Sequence, residues 1–135
     1  MTEKNTRVVI FIFLDGNKIL IEKRVLEDFE EEQYLIPGGI IEATESVEQA
    51  LKRECLEELG VIPLDFIPLP TKNKIIGLKN QTLVPYLINR WSGKLPKIIL
   101  DIGNPLVWLP INTVLNSPVK PTREIAEALK KHLSL

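Results

Sequence analysis

The chain has 135 residues, room for a single domain spanning 1–135, and its 44% hydrophobic and 26% charged content is ordinary for a soluble globular protein. A net charge of -1 gives no bulk pull toward a nucleic acid polymer, and the longest apolar run, Val8 to Leu14, is far too short to span a bilayer. One cysteine excludes an internal disulfide, and no secretory leader pattern, repeat or low-complexity tract is present, so a cytoplasmic protein is expected, as monomer or homodimer.

Met1 to Asn5 is polar and is expected to fray. Arg7 to Leu14 is β-branched and aromatic throughout, which predicts a strand buried on both faces. Asp15-Gly16-Asn17 is a hairpin signal, with Lys18 to Arg24 as the returning strand. Glu27 to Gln33 is an acidic loop leading to Tyr34-Leu35-Ile36. Such runs are usually only solvated, yet its place beside Pro37-Gly38-Gly39 makes it a candidate lid, with Phe29 able to touch a base. Paired glycines let the backbone turn and pass close to a ligand.

A helix follows. Ser46 with Gln49 three residues on is a capping box, and Gly60 stands where a left-handed residue ends helices. Val47, Leu51, Cys55 and Leu59 form the apolar stripe. Glu54, Glu57 and Glu58 sit at i, i+3 and i+4, within an arc of roughly 100° that abuts this stripe. Gln49, Lys52 and Arg53 project outward instead. Like charges so close repel by a few tenths of a kcal/mol per pair, roughly. The cluster therefore reads as a site for a cation, and hard oxygen donors suit Mg²⁺ or Mn²⁺ rather than Zn²⁺.

Beyond the helix, Leu64 to Leu69 reads as a strand, and Ile75 to Leu78 with Thr82 to Trp91 as a hairpin around Lys79-Asn80. Pro85 inside the second run suggests an edge strand or a bulge. A loop from Trp91 to Asn104 carries Asp101, which is either a fourth acid for the site or an ordinary loop aspartate. Pro105 to Leu109 is a short strand and Pro110 to Leu115 a helical turn. Thr122 to Leu133 is a closing amphipathic helix with Ile125, Leu129 and Leu133 on one face. Thr122 either caps this helix or hydrogen-bonds a purine edge. Trp91 and Trp108 suit sheet packing better than base stacking. Cys55, on the apolar stripe, reads as core rather than as a nucleophile.

Gly39, five residues, Glu45, seven residues, and then Arg53-Glu54-Cys55-Leu56-Glu57-Glu58-Leu59-Gly60-Val61 resembles the signature of the Nudix hydrolases, with Cys55 where a branched aliphatic is usual. Arg90-Trp91-Ser92-Gly93 and Trp108-Leu109-Pro110 resemble MutT-like members in particular. The resemblance implies an α/β fold, an α/β/α sandwich around a mixed β-sheet. It implies a hydrolase of phosphoric anhydride bonds that cleaves a nucleoside triphosphate, oxidised or modified dNTPs included, to the monophosphate and pyrophosphate. Glu54, Glu57 and Glu58 would hold Mg²⁺ (or Mn²⁺) with the Gly38 carbonyl, and one carboxylate would activate water. Arg53 would pair with Glu45 and hold the helix against the Gly-Gly loop. Arg24, Leu35, Ile36, Gly38 and Gly39 would contact the nucleotide, joined by Phe29, Asp101 and Thr122. Alternatives are another nucleoside diphosphate-X substrate such as ADP-ribose, or a nucleotide sensor without turnover.

Overall fold

The computed structural model describes residues 6–134; Met1 to Asn5, and the fraying expected there, lie outside them. The first strand, β1 (Arg7–Asp15), is the axis of the fold. Val9, Phe11 and Phe13 face one core cluster and Ile10 and Ile12 the other, as the two-residue alternation of a strand buried on both faces requires. β2 (Lys18–Arg24) pairs with β1 only at the hairpin, Leu14 with Ile19 and Asp15 with Lys18, and then diverges. Its own partners are β3 (Gln33–Leu35) and β8 (Leu106–Pro110). The edge of β1 that β2 leaves is taken by β4 (Gly38–Ile40), with Val9 opposite Gly39. Gly38-Gly39 is thus strand rather than open turn. A Cβ at Gly38 would press on the Val9 carbonyl oxygen and on Ile10, so glycine is what lets this short strand come so near.

On the other side β1 runs parallel to β7 (Thr82–Ser92), which is flanked in turn by β5 (Ile62–Pro68) and β6 (Ile75–Ile76). The expectation that Pro85 marks an edge or a bulge is corrected here. Pro85 pairs in unbroken register with Ile10 in the interior of the sheet, and the irregularity lies across the ladder in β5, between Pro63 and Phe66. The Pro85 carbonyl accepts from the Leu69 N–H at 2.9 Å, just past the end of β5, so its nitrogen also points there and no ladder bond to β1 is lost. The predicted hairpin is present, but β6 holds only two residues before the turn at Gly77–Asn80.

Helix α1 (Val47–Leu59) covers one face through Ala50, Leu51, Cys55 and Leu59. The four-residue α2 (Ile111–Val114) and α3 (Lys120–His132) cover the other, with Ile111, Ile125, Ala126 and Leu129. The architecture is the expected α/β/α sandwich. The start of the last helix differs from expectation. α3 starts two residues early, at Lys120, with Val119 as a cap that offers no side chain; Thr122 therefore lies buried inside the first turn and is not the cap. Trp91 meets Phe13 edge-on at 5.1 Å and stacks on Trp108 at 6.4 Å, which commits both indoles to packing.

Candidate active site

The Gly39–Val61 stretch folds as its residues dictate. The Ser46 hydroxyl accepts from the Gln49 N–H at 3.1 Å while the Ser46 N–H donates to the Gln49 side chain at 2.8 Å. Gly60 closes the helix at φ 68°, its N–H donating to the Leu56 carbonyl at 3.0 Å. Between these caps, Arg53 is the organiser. Its Nε donates to Glu45 at 3.0 Å and its Nη1 to Glu54 at 2.6 Å and Glu57 at 3.2 Å. Nη2 donates to Glu45 and, at 3.0 Å, to the Ile40 carbonyl. The helical projection puts Arg53 on the outer solvated face, but its long stem folds back across the acidic arc, pairs with Glu45 as the resemblance implies, and ties the helix to β4. Pairing with Arg53 and the Glu42 backbone N–H holds the Glu45 carboxyl down at about 2.

Glu54 and Glu58 lie on the buried side of the arc, and Glu57 is more than half exposed. Gly39 leaves the space that the Glu54 carboxylate fills, since a Cβ there would fall inside it. Glu58 Oε2 is sealed from solvent and has no hydrogen-bond partner. Burial, then Glu54, Asp101 and Glu22, push the Glu58 carboxyl up to about 8. Asp101 is exposed and comes near because the Leu100 N–H donates to the Glu58 carbonyl at 2.9 Å. Burial, and then Glu58 and Glu54, raise the Cys55 thiol well above its ordinary range, so it is not a nucleophile.

As placed, no three His, Cys, Asp or Glu side chains among the described residues close around one point. The donor set nevertheless fits a hard divalent cation. A buried carboxylate oxygen without a donor, among other carboxylates, lacks only positive charge. Glu57 is held by Arg53 alone, at 3.2 Å, on an exposed stem.

A cleft of about 220 Å³ lies at the opening between β1 and the diverging β2. It gathers five residues expected to touch substrate: Arg24, Leu35, Ile36, Gly38 and Thr122. Gly39 is outside it, against Glu54. Phe29, half buried, does not line the cleft; Leu26 of the same loop does. Sequence reasoning missed Glu22. Its Oε2 accepts from Arg24 at 3.0 Å and from Asn104 at 2.7 Å. The signal was available: residues two apart on a strand share a face, and Glu22 ends the apolar run Ile19-Leu20-Ile21 two residues before Arg24.

A family model described as the NUDIX domain matches residues 3–128. The chain belongs to the NUDIX domain family. Among curated relatives, the 8-oxo-dGTP diphosphatase of Escherichia coli (strain K12) is 32% identical over 59% of this chain and 62% of its own length. That of Buchnera aphidicola subsp. Schizaphis graminum is 33% identical over 68% of this chain and 69% of its own. The solution structure of the E. coli ORF135 protein superposes with a TM-score of 0.78 at 24% identity, covering 96% of this chain and 91% of that one, which fixes the fold. The match to the E. coli diphosphatase thus spans less than two thirds of that enzyme.

Proposed function

We propose that this NUDIX chain is a Mg²⁺-dependent pyrophosphohydrolase that cleaves a nucleoside triphosphate to the monophosphate and pyrophosphate. The observation that carries the reading is Glu58: a buried, unpaired carboxylate oxygen beside Glu54, next to a cleft with an arginine in its wall. The similarity to enzymes named for 8-oxo-dGTP supports a nucleotide substrate, with oxidised or modified dNTPs in range.

Each residue then has a task. Glu54 and Glu58, with Glu57 and the Gly38 carbonyl, would hold the cation, which when bound supplies positive charge for the phosphoryl oxygens and for the attacking water. Arg24 would bind a phosphate oxygen from the cleft wall. Arg53 and Glu45 orient the carboxylates and keep α1 on β4. Ile10, Ile36 and Leu83 exclude water around the base. A carboxylate of the cluster accepts the proton from water as its oxygen bonds to phosphorus; the bridging oxygen leaves with its electron pair. The protein is read as cytoplasmic.

The test is a panel of nucleoside triphosphates, oxidised analogues and ADP-ribose with Mg²⁺, assayed for pyrophosphate and monophosphate. Triphosphates should yield both products, and Glu58→Gln should lower turnover by at least ~10²-fold with the fold intact. Binding without product from any of them, unaffected by Glu58→Gln, would leave a sensor rather than an enzyme.

A further inference from the structure

Glu22 is the sole acid among the described residues lining the cleft, and its side chain is only 5% exposed. All its hydrogen bonds fall on one oxygen. Oε2 accepts from Arg24 Nε at 3.2 Å, Arg24 Nη2 at 3.0 Å and Asn104 Nδ2 at 2.7 Å, whereas Oε1 accepts from no described residue. Nor is Oε1 sealed off. Of the described buried side-chain oxygens and nitrogens, Glu58 Oε2 alone is both cut off from solvent and unpartnered, so Oε1 of Glu22 keeps some exposure on a residue that lines the cleft. On a side chain this buried, a carboxylate oxygen with no protein donor has only water or a ligand to pair with. It is a spare acceptor facing whatever the cleft binds.

Its position says which part of a ligand it meets. By the alternation of β2, Glu22 shares the α1 face with Leu20, and Glu58 feels its charge. The same cleft continues to Leu83 and Ile125, which belong to the apolar packing beneath α3, on the opposite side of the sheet. Glu22 therefore stands at the junction between the acidic edge and the apolar end. In a nucleotide with phosphates at the first and base at the second, the junction falls at the pentose. The donors of a pentose are its hydroxyls.

We propose that Glu22 is a specificity-determining residue whose Oε1 accepts a hydrogen bond from a pentose hydroxyl of the bound nucleotide, an inference that rests on the nucleotide reading of the site. Arg24 and Asn104, by occupying Oε2, fix the carboxylate so that Oε1 is presented.

The experiment measures binding and kcat/KM for guanosine 5′-triphosphate, its 2′-deoxy analogue and its 3′-deoxy analogue with Mg²⁺. In the native protein one deoxy analogue should bind about 10- to 100-fold more weakly, with the loss in KM rather than kcat. Glu22→Gln should bring the three within about 3-fold of one another by weakening the two ligands that carry the hydroxyl. Glu22→Asp, which keeps the charge and withdraws the oxygen, should do the same if Glu22→Gln does not fold. Equal binding of all three by the native protein overturns the proposal. So does a variant that weakens all three in equal proportion, or one that shifts only the Mg²⁺ requirement. Calorimetric binding reads the ratio without turnover: a protein that binds the three unequally but hydrolyses none loses its enzymatic reading and keeps Glu22 as sugar reader. Failure to bind any of them sinks both.

Discussion

Two carboxylates of the same cluster are driven in opposite directions, and their pH behaviour separates them. Glu45 is held at about 2, first by its hydrogen bonds to Arg53, against an ordinary 4.5. The folded state thus favours the anion. The contribution is fully present above about pH 4.5 and is lost as pH falls toward 2. Acid unfolding followed by circular dichroism should show Glu45→Gln losing less stability over that window than the native chain. Glu58 is the reverse case. Burial lifts it to about 8, so the folded, cation-free chain favours the neutral acid. Its share of stability is complete below about pH 4.5 and is lost as pH rises through about 8. In the absence of divalent ions, Glu58→Gln should therefore flatten the decline in thermal midpoint between about pH 4.5 and pH 8. Cation binding at pH 7 should release a proton, seen as a titration heat that changes with buffer ionisation enthalpy; heat independent of buffer would contradict the assignment.

At the scale of elements, the site depends on β4 lying flat against β1 while α1 presses on it from one side. Gly39 is where the two meet. Gly39→Ala would place a methyl inside the Glu54 carboxylate, which must then swing away. The expected result is turnover reduced by roughly 10²-fold, in keeping with displacement of a catalytic group, with the circular dichroism spectrum retained. Unchanged turnover would mean that Glu54 need not stand where it does. The elements also show what a sequence conveys. α1 was legible because its caps, stripe and acidic arc lie within one local stretch, and each is a matter of spacing. Pro85 misled because an edge position is the usual home of a strand proline. Its true shelter, the gap where β5 has ended and β6 has not begun, is created by distant chain. For Arg53 the motif resemblance gave the Glu45 partner, whereas the helical projection misled, because it fixes where a side chain leaves the helix and not where a long one ends.

At the scale of the whole molecule, the carboxylate edge and the cleft were unequally legible for one reason. The edge comes from a single segment. The cleft comes from β1, β2, β3, the β6–β7 turn and α3, which meet because β2 leaves β1 after the hairpin. Motif resemblance placed Arg24, Ile36 and Gly38, strand alternation could have added Glu22 beside Arg24, and nothing local could say that Gln81 of the β6–β7 turn would join them. The two core clusters, one on each face, hold that opening in place from both sides. Everything proposed for the chemistry rests on the crowded glutamates taking up a divalent cation. Titration of Mn²⁺ into the protein, with free ion followed by electron paramagnetic resonance, tests this most directly. Saturable uptake that tightens with nucleotide and falls at least ~10-fold in both Glu54→Gln and Glu58→Gln is predicted; uptake undiminished in both variants, or none with or without nucleotide, would contradict it.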